Sequence, residues 1–337
     1  MGKNPFMKKN ILLITVTLAL GLSVVSCNKS GKLNMPSKSP PPSGAVELKL
    51  KWPVGERIVQ SFDLKMNSEI TVPGQPNPIK QDMTIGQSYA LSVLKEEAEG
   101  GHEVELEFLA MRMKMDLGGR TMVDYDSDKK SAADSANPAA ALFQKMVGAK
   151  LQYFLDASNQ VQRVEGIDEL RAKMTAGGPN DLSASFKNVF TGNYFKQMMD
   201  YSQNLPSKPV QPGDTWPVTR EIAMGDLGVM VLNYDMTFQS WEQHGKRNCA
   251  RLEFQGTIKS RSGQNPGPSG MTVDVRDGTT SGVTWFDPEL GMFIETTMNQ
   301  DMKMNMTMSR TMRGKTVTQT VTDNMKQEIT IKLDSVK

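Results

Sequence analysis

The sequence predicts a mainly β protein with a helical middle segment, in which short helices cover a long curved antiparallel sheet, a half-barrel or open barrel. Long runs on both sides of the middle segment alternate apolar and polar residues, a period of two that is typical of strands with one buried face. These runs suggest strands of roughly 12–15 residues. The middle segment instead spaces its apolar residues as helices do. We therefore expect one globular domain over 46–337, organised as β 46–126, a helical insert 137–203 and β 213–333.

The first β segment contains a change of phase. Alternation runs through Phe108 and resumes one residue out of step in Met111, Met113 and Met115. A slip of one residue would turn core side chains towards solvent unless the strand carries an extra residue. The sequence therefore predicts a β-bulge near Leu109-Ala110.

Four helices are predicted in the insert, with a hairpin between the first two. Asn137-Pro138 supplies a capping side chain followed by proline at the first helical position, and the helix continues to Val147. The hairpin pairs 151–155 with 161–164. The remaining helices are predicted over 167–174, 181–190 and 194–203.

The two β segments share a short pattern that suggests an internal duplication. Tyr89 to Phe108 ends in Val-Glu-Leu-Glu-Phe, and Tyr234 to Phe254 ends in Ala-Arg-Leu-Glu-Phe. Each copy places one histidine, His102 or His244, beside a turn, which predicts solvated imidazoles. The alternative is that amphipathic strands resemble one another by default.

The first 26 residues have the pattern of an export signal. A basic start precedes an apolar core, Ile11 to Leu22, which is too short to span a bilayer. The core ends in Val24-Val25-Ser26 before Cys27, and this arrangement closely resembles the lipobox of bacterial lipoproteins. The resemblance implies cleavage before Cys27 and a lipid anchor on its thiol. A cleaved, unanchored export is the alternative.

The residues after the lipobox predict how the domain is displayed. Asn28 stands where an Asp would resemble an inner-membrane retention signal, so the outer membrane is the favoured destination. Residues 27–45 are rich in Ser, Pro, Lys and Gly and are predicted to be the lipidated cysteine and a disordered tether. The predicted partner of this region is the membrane itself.

Charge and cysteine content exclude two further classes. Removing the three lysines of 1–26 from the 39 basic residues leaves 36 against 37 acidic ones, so no general attraction to nucleic acid is expected. With Cys27 acylated, Cys249 has no second cysteine with which to form an intrachain disulfide.

Methionine is the main compositional clue, with 25 of 337 residues. Period-two spacing places runs of these thioethers on one face of the sheet. The candidate ligand-binding residues are Met111, Met113, Met115, Met298, Met302, Met304, Met306 and Met308. Three interpretations are open: an ordinary core, an adaptable apolar binding cavity, or capture of Cu(I). Neighbouring positions on one face lie about 6–7 Å apart, which is too far for two sulfurs to share a metal without a cross-strand partner.

Catalytic chemistry finds little support in the sequence. Zincin, Walker A, nucleophile-elbow and Cys-x-x-Cys motifs do not occur. Asp124, Asp126 and Asp128 alternate, but the glycine and glutamate that an EF-hand loop requires are missing, so a charged loop is favoured. We expect no enzyme activity, no metal and no cofactor.

Two further segments carry a family resemblance. The phrase 205–216 (Leu-Pro-Ser-Lys-Pro-Val-Gln-Pro-Gly-Asp-Thr-Trp) and the strand exit Trp285-Phe286-Asp287-Pro288 resemble an uncharacterised family of bacterial lipoproteins with a domain of unknown function. The element order is more distantly similar to LolA-like and LppX-like half-barrel lipoproteins. Those proteins bind lipids or lipidated cargo in a concavity covered by helices, which is an analogy of fold.

The long strands and the adaptable methionine face predict a membrane-anchored extracytoplasmic protein that binds a lipid or another hydrophobic ligand on its concave face. The helices between about 138 and 203 would then serve as plug or lid. A structural or assembly lipoprotein whose partner is another envelope protein is the alternative, and a Cu(I)-binding protein is the third.

Overall fold

One antiparallel sheet dominates the protein, in agreement with the predicted fold class. A computed structural model describes residues 36–129, 137–176, 191–224, 227–261, 271–312 and 315–337. Strands hold 63% of these described residues and helices 10%. Within those ranges, no helix has the length and apolar character needed to cross a membrane.

The sheet has twelve strands. They are β1 (Arg57–Thr71), β2 (Ile79–Glu96), β3 (His102–Leu117), β4 (Arg120–Asp126), β5 (Lys150–Leu155), β6 (Val161–Glu165), β7 (Thr215–Ala223), β8 (Val229–His244), β9 (Arg247–Arg261), β10 (Met271–Asp287), β11 (Met292–Met312) and β12 (Lys315–Val336). The strands of the last hairpin reach 21 and 22 residues and exceed the predicted lengths.

The first strand, β1, and the last, β12, pair with each other at the middle of the sheet. The strand order runs β6-β5-β3-β2-β1-β12-β11-β10-β9-β8-β7, with β4 paired to β3 beside this path. Each neighbouring pair is antiparallel, and β1 pairs with β12 from Ile58 opposite Val336 to Thr71 opposite Thr322. The sheet is open, with β6 and β7 at its edges.

One face of the sheet is buried, as the alternating sequence predicts. Along β12, five alternate side chains are buried and those between them are exposed. The buried ones are Val321, Asp323, Met325, Gln327 and Ile329. An apolar face that wide needs a cover, and the other elements of the chain provide part of it.

The predicted bulge in β3 is confirmed. Ser88 pairs with Ala110 while Tyr89 pairs with Phe108, so Leu109 has no opposite residue. The extra residue keeps both Phe108 and Met111 in the core.

The two hairpins of the suggested duplication also share a bulge near their turns. Leu94 is the extra residue in β2, and Gln239 is the extra residue in β8. When these bulges are aligned, Leu252 corresponds to Val104, whereas the sequence motif aligns Leu252 with Leu106. The duplication stays a prediction.

The helical insert is confirmed in its described parts. The helices are α1 (Pro138–Met146), α2 (Ile167–Thr175) and α3 (Gly192–Met198), followed by a 3₁₀ helix (Tyr201–Asn204). The helix predicted over 194–203 is therefore two pieces. The helix predicted over 181–190 lies outside the described residues. The predicted hairpin is β5–β6.

Part of the segment predicted as a tether is docked on the β8–β9 hairpin. The amide of Ser37 donates to the carbonyl of Lys246 (3.0 Å), and Nη1 of Arg247 donates to the carbonyl of Pro36 (3.0 Å). Further on, Val46 and Val210 form a two-bond bridge. These contacts bring the described start of the chain to one end of the sheet.

Candidate functional site

A cavity lies between the sheet and the elements that cross it. Its floor comes from β1, β2 and β7 to β12, and its roof from α3, the 3₁₀ helix and segment 50–52. Its volume is about 140 Å³, and the space between atoms reaches about 1350 Å³ when the part that opens to solvent is included. The lining on β11 runs from Met292 to Gln300, or about 26 Å along the strand.

The sheet curves around this cavity. Leu91 on β2 and Arg220 on β7 line the same space although six strands separate them in the sheet order. Both arms also contact the roof. The hydroxyl of Tyr89 on β2 lies 2.9 Å from that of Tyr201, and Nη2 of Arg220 donates to the carbonyl of Gln197 (2.9 Å). The insert therefore bridges the two arms of a half-barrel.

Most of the lining is apolar. The apolar and aromatic lining residues are Leu50, Trp52, Ile58, Leu91, Tyr194, Tyr201, Ile222, Leu232, Tyr234, Met236, Phe254, Met292, Phe293, Met298, Ile329 and Ile331. Such a wall favours apolar ligands, because binding removes their apolar surface from water.

Small residues in the middle of β10 and β11 leave the room for the cavity. Thr280, Thr284 and Thr296 line it. The hydroxyls of Thr284 and Thr296 lie 2.6 Å apart, and that of Thr284 donates to the carbonyl of Glu295 (3.1 Å), so this pair is satisfied within the sheet.

A glycine lets an aromatic ring lie against the floor. Gly282 pairs with Phe254 across β9 and β10, and a Cβ at Gly282 would meet Cζ of Phe254 at 2.4 Å. The ring of Phe254 in turn lies 5.4 Å from that of Tyr234. Aromatic rings that cover cross-strand glycines stabilise curved sheets. The same pairing shapes the cavity wall.

Polar groups lie on the sheet beside the cavity and where the sheet meets the roof. The hydroxyl of Tyr234 donates to Oδ1 of Asn204 (2.8 Å), and the hydroxyl of Tyr89 donates to Oε1 of Gln60 (2.7 Å). Burial raises the pKa of Tyr201 and of Tyr234, while the positive charge of Arg220 opposes the rise in both. Both phenols are therefore protonated at neutral pH.

Two cations line the cavity, and no Asp or Glu is among its described lining residues. The exposed Lys51 is committed elsewhere, because its ammonium donates to the carbonyls of Pro288 (2.8 Å) and Glu289 (3.1 Å). Arg220 is half-buried, and no carboxylate of the described residues lies within 4.0 Å of it. The wall is therefore apolar with a net positive charge.

The methionines chosen from the sequence lie mostly in the core. Met298 is on the cavity wall. Met308 packs half-buried against the core. The other six, each at most 1% exposed, are Met111, Met113, Met115, Met302, Met304 and Met306. None of these seven is among the lining residues of the cavity, so of the eight proposed ligand contacts the structure brings only Met298 to it.

Sequence reasoning missed the residues that line the roof and the far arm, which include Tyr194, Tyr201, Arg220 and Tyr234. Their spacing along the chain carries no signal of a shared site. They meet because α3 and the 3₁₀ helix cross the sheet between its two arms.

The two histidines and Cys249 are not among the residues that line the cavity. His244 stacks on Trp285 with ring centroids 4.3 Å apart, and its Nε2 lies 3.0 Å from Oε2 of Glu295. Nδ1 of His102 is buried. Both histidines are partly exposed, and His244 in addition has a ring and a carboxylate as neighbours. Burial raises the pKa of Cys249 to about 12, which keeps it a thiol.

The loop around Asp126 contains an ion pair. The ammonium of Lys129 lies 3.2 Å from a carboxylate oxygen of Asp126. Across the ranges that the structure describes, no group of three or more His, Cys, Asp or Glu side chains is arranged to hold a metal ion.

Residues 99–293 match the profile of a family of unknown function, DUF6263, and this match spans more than half of the chain. The chain belongs to this family. No curated protein matches the DUF6263 chain.

Solved structures give only faint likenesses to this DUF6263 protein. A Bacteroides fragilis protein described as exported, with a YmcC-like fold, has a TM-score of 0.26 and 10% identity, covering 87% of this chain and 100% of that one. DynF, from the dynemicin biosynthesis pathway of Micromonospora chersina, has a TM-score of 0.20 and 8% identity, covering 93% of this chain and 92% of that one. At these TM-scores neither likeness carries an argument about function. The LolA-like and LppX-like resemblance stays an interpretation of the sequence.

The DUF6263 match includes much of the cavity. Tyr194, Arg220, Tyr234 and Phe254 lie within residues 99–293. The parts of the wall on β1 and β12 lie outside the match.

Proposed function

We propose that this DUF6263 protein is a lipid-anchored extracytoplasmic protein that binds a lipid or another hydrophobic ligand without covalent chemistry. The observation that carries the proposal is the apolar cavity between the curved sheet and the roof of α3 and the 3₁₀ helix. A ligand gains about 2.5 kcal/mol for each 100 Å² of apolar surface that it buries, before the cost of association.

The composition of the wall favours binding over catalysis. Its described residues include no His, Cys, Asp or Glu, which are the usual nucleophiles and general acids or bases. A structural or assembly lipoprotein would be expected to have a filled interior, and the cavity counts against that alternative. The same residues offer no thiolate or imidazole to Cu(I).

The docked start of the chain supports a position close to a membrane. Cys27 precedes Pro36 by nine residues, which reach about 30 Å when extended. Because Pro36 is bound to Arg247, an acylated Cys27 would hold the β8–β9 end of the sheet within that distance of the bilayer.

The binding proposal is tested with a neutral apolar fluorophore and a variant that fills the cavity. Thr296 lines the cavity and Thr297, the next residue on β11, points to the opposite face. The mature chain, residues 27–337 with Cys27→Ser, is titrated with N-phenyl-1-naphthylamine. We expect saturable fluorescence that T296W abolishes and the matched control T297W retains.

Two outcomes would contradict the binding proposal. One is the absence of saturable fluorescence in the unacylated chain, which would leave the assembly protein as the better account. The other is equal binding by T296W and T297W, both folded by circular dichroism, because the probe would then bind outside the cavity.

Anchoring is tested separately by mass spectrometry of the protein extracted from membranes. We expect an N-terminal peptide that begins at Cys27 and carries a diacylglycerol. A mature protein that begins elsewhere, or an unmodified Cys27 in the membrane fraction, would contradict the anchor.

A further inference from the structure

The position of Arg220 gives the cavity two chemically different ends. In the sheet register Arg220 is opposite Leu232, which pairs with Ile258. The β9–β10 pairing, continued by one residue, brings Ile258 level with Gly278. Gly278 is nine residues from Asp287, where β10 ends next to the other end of the cavity, so the two ends are about 30 Å apart along the strands.

The guanidinium of Arg220 is held on the concave face of β7. The next residue, Glu221, belongs to the opposite face and pairs with Arg261, so this nearby acid is directed away from the cavity. Nη2 of Arg220 donates to the carbonyl of Gln197 at the end of α3. That contact fixes the guanidinium at the junction of floor and roof.

The surroundings of Arg220 suit an anion. A guanidinium has five N–H donors, and one is bound to the carbonyl of Gln197. The phenols of Tyr201 and Tyr234 lie close enough to Arg220 for its charge to act on both. A half-buried cation beside an apolar wall is desolvated without a carboxylate to balance it, and an ionised ligand group at this place would supply that balance.

We propose that the ligand is an anionic amphiphile, with its acidic head at Arg220 and a single apolar chain along the threonine-lined floor towards Met292. The inference rests on the proposed function and names its ligand class. The lining residues span more than the half-thickness of a bilayer core, about 15 Å, so the span suits the acyl chain of an ordinary membrane lipid. A carboxylate and a phosphate monoester share the required chemistry.

The test compares four amphiphiles with the same twelve-carbon chain. We measure displacement of N-phenyl-1-naphthylamine from the mature Cys27→Ser chain by laurate, dodecyl phosphate, dodecanol and dodecyltrimethylammonium. We expect laurate, dodecyl phosphate or both to displace the probe at about tenfold lower concentration than dodecanol, the size of one charge-assisted hydrogen bond. Preference for laurate alone would indicate a free fatty acid, and preference for dodecyl phosphate alone a phosphorylated lipid.

Variants assign the preference to one side chain. R220Q is expected to lose the tenfold preference for the anionic amphiphiles over dodecanol, and R220K is expected to keep part of it. The control R261Q removes an arginine from the outer face of the same region and is expected to keep the full preference. Thermal unfolding shows that each variant is folded.

The outcomes separate this inference from the proposed function. Equal displacement by laurate, dodecyl phosphate and dodecanol, tightest binding of dodecyltrimethylammonium, or an unchanged preference in R220Q would overturn the anionic head while leaving an apolar site. The absence of any probe or amphiphile binding would overturn the proposed function as well.

Discussion

The two ends of β11 belong to one strand and one buried face, yet one end is sealed and the other borders a cavity. At the sealed end Met302, Met304 and Met306 are buried in the core. At the cavity end Thr296 and Met298 line open space. The buried face of a strand therefore does not decide by itself whether a site forms. Small side chains on the floor and a roof that spans the two arms decide it.

The ends also differ in how they hold charge. Next to the sealed end, Asp323 pairs across the strands with Met304 and bonds to the hydroxyl of Ser68. Beyond the cavity end, Asp287 is paired with Arg247, and both are almost fully buried. One end thus buries a carboxylate with no cation paired to it among the described residues, and the other buries a complete ion pair.

The largest expected effect is at the buried ion pair. Arg247→Ala leaves the carboxylate of Asp287 buried without a cation and removes the bond to Pro36, so we expect a loss of about 3–5 kcal/mol in the free energy of unfolding by urea. Arg251, on the same strand, forms more exposed pairs with Glu242 and Glu253, and Arg251→Ala should cost at most about 1 kcal/mol. Similar losses in the two variants would contradict the greater stabilisation expected from the buried Arg247–Asp287 pair.

The second effect compares two methionines on β11. Met304→Ala should cost about 2–5 kcal/mol because it opens a void in close packing. Met298→Ala should cost about 1 kcal/mol, since this side chain already borders open space. Urea denaturation of both variants measures the difference. If Met298→Ala were as costly as Met304→Ala, the cavity end would be packed like the sealed end.

The third effect depends on pH. Burial raises the pKa of Asp323 to about 6, with the bond from Ser68 opposing the rise. The folded protein therefore holds this proton more tightly than the unfolded chain does. The stabilisation is complete below about pH 4, the unfolded value, and is lost as the pH rises through about 6.

Asp323→Asn should remove this loss. Relative to the parent chain, the variant is expected to gain on the order of 2–3 kcal/mol between pH 4 and pH 7.5, measured by urea denaturation at both values. The control Asp301→Asn changes an exposed carboxylate on β11 and should show little such gain. A constant difference between Asp323→Asn and the parent at the two pH values would contradict a buried, raised Asp323.

The local features of the fold were predictable from the sequence. Alternation located the long strands, the slip of phase after Phe108 located the bulge at Leu109, and Asn137-Pro138 located the start of α1. These features depend on local sequence and on one buried face. The pairing of β1 with β12 joins distant segments and leaves no local pattern.

The cavity wall could not be derived in the same way. Methionine stripes are conspicuous in the sequence, but six of the eight residues chosen are buried in the core. Thr296 and Arg220 carry no apolar signal, and they line the cavity because of what lies opposite them in space. Apolar periodicity identifies the buried face of a strand, whereas a binding site also needs space between that face and the element that covers it.

Binding in the cavity is tested most directly by methyl NMR of the mature chain labelled at methionine Cε, with resonances assigned by Met→Leu substitution. On titration with N-phenyl-1-naphthylamine, we expect the methyl resonances of the wall residues Met236, Met292 and Met298 to shift and those of Met302, Met304 and Met306 to stay unchanged. Shifts centred on Met302, Met304 and Met306, with Met298 unchanged, would contradict binding in the cavity.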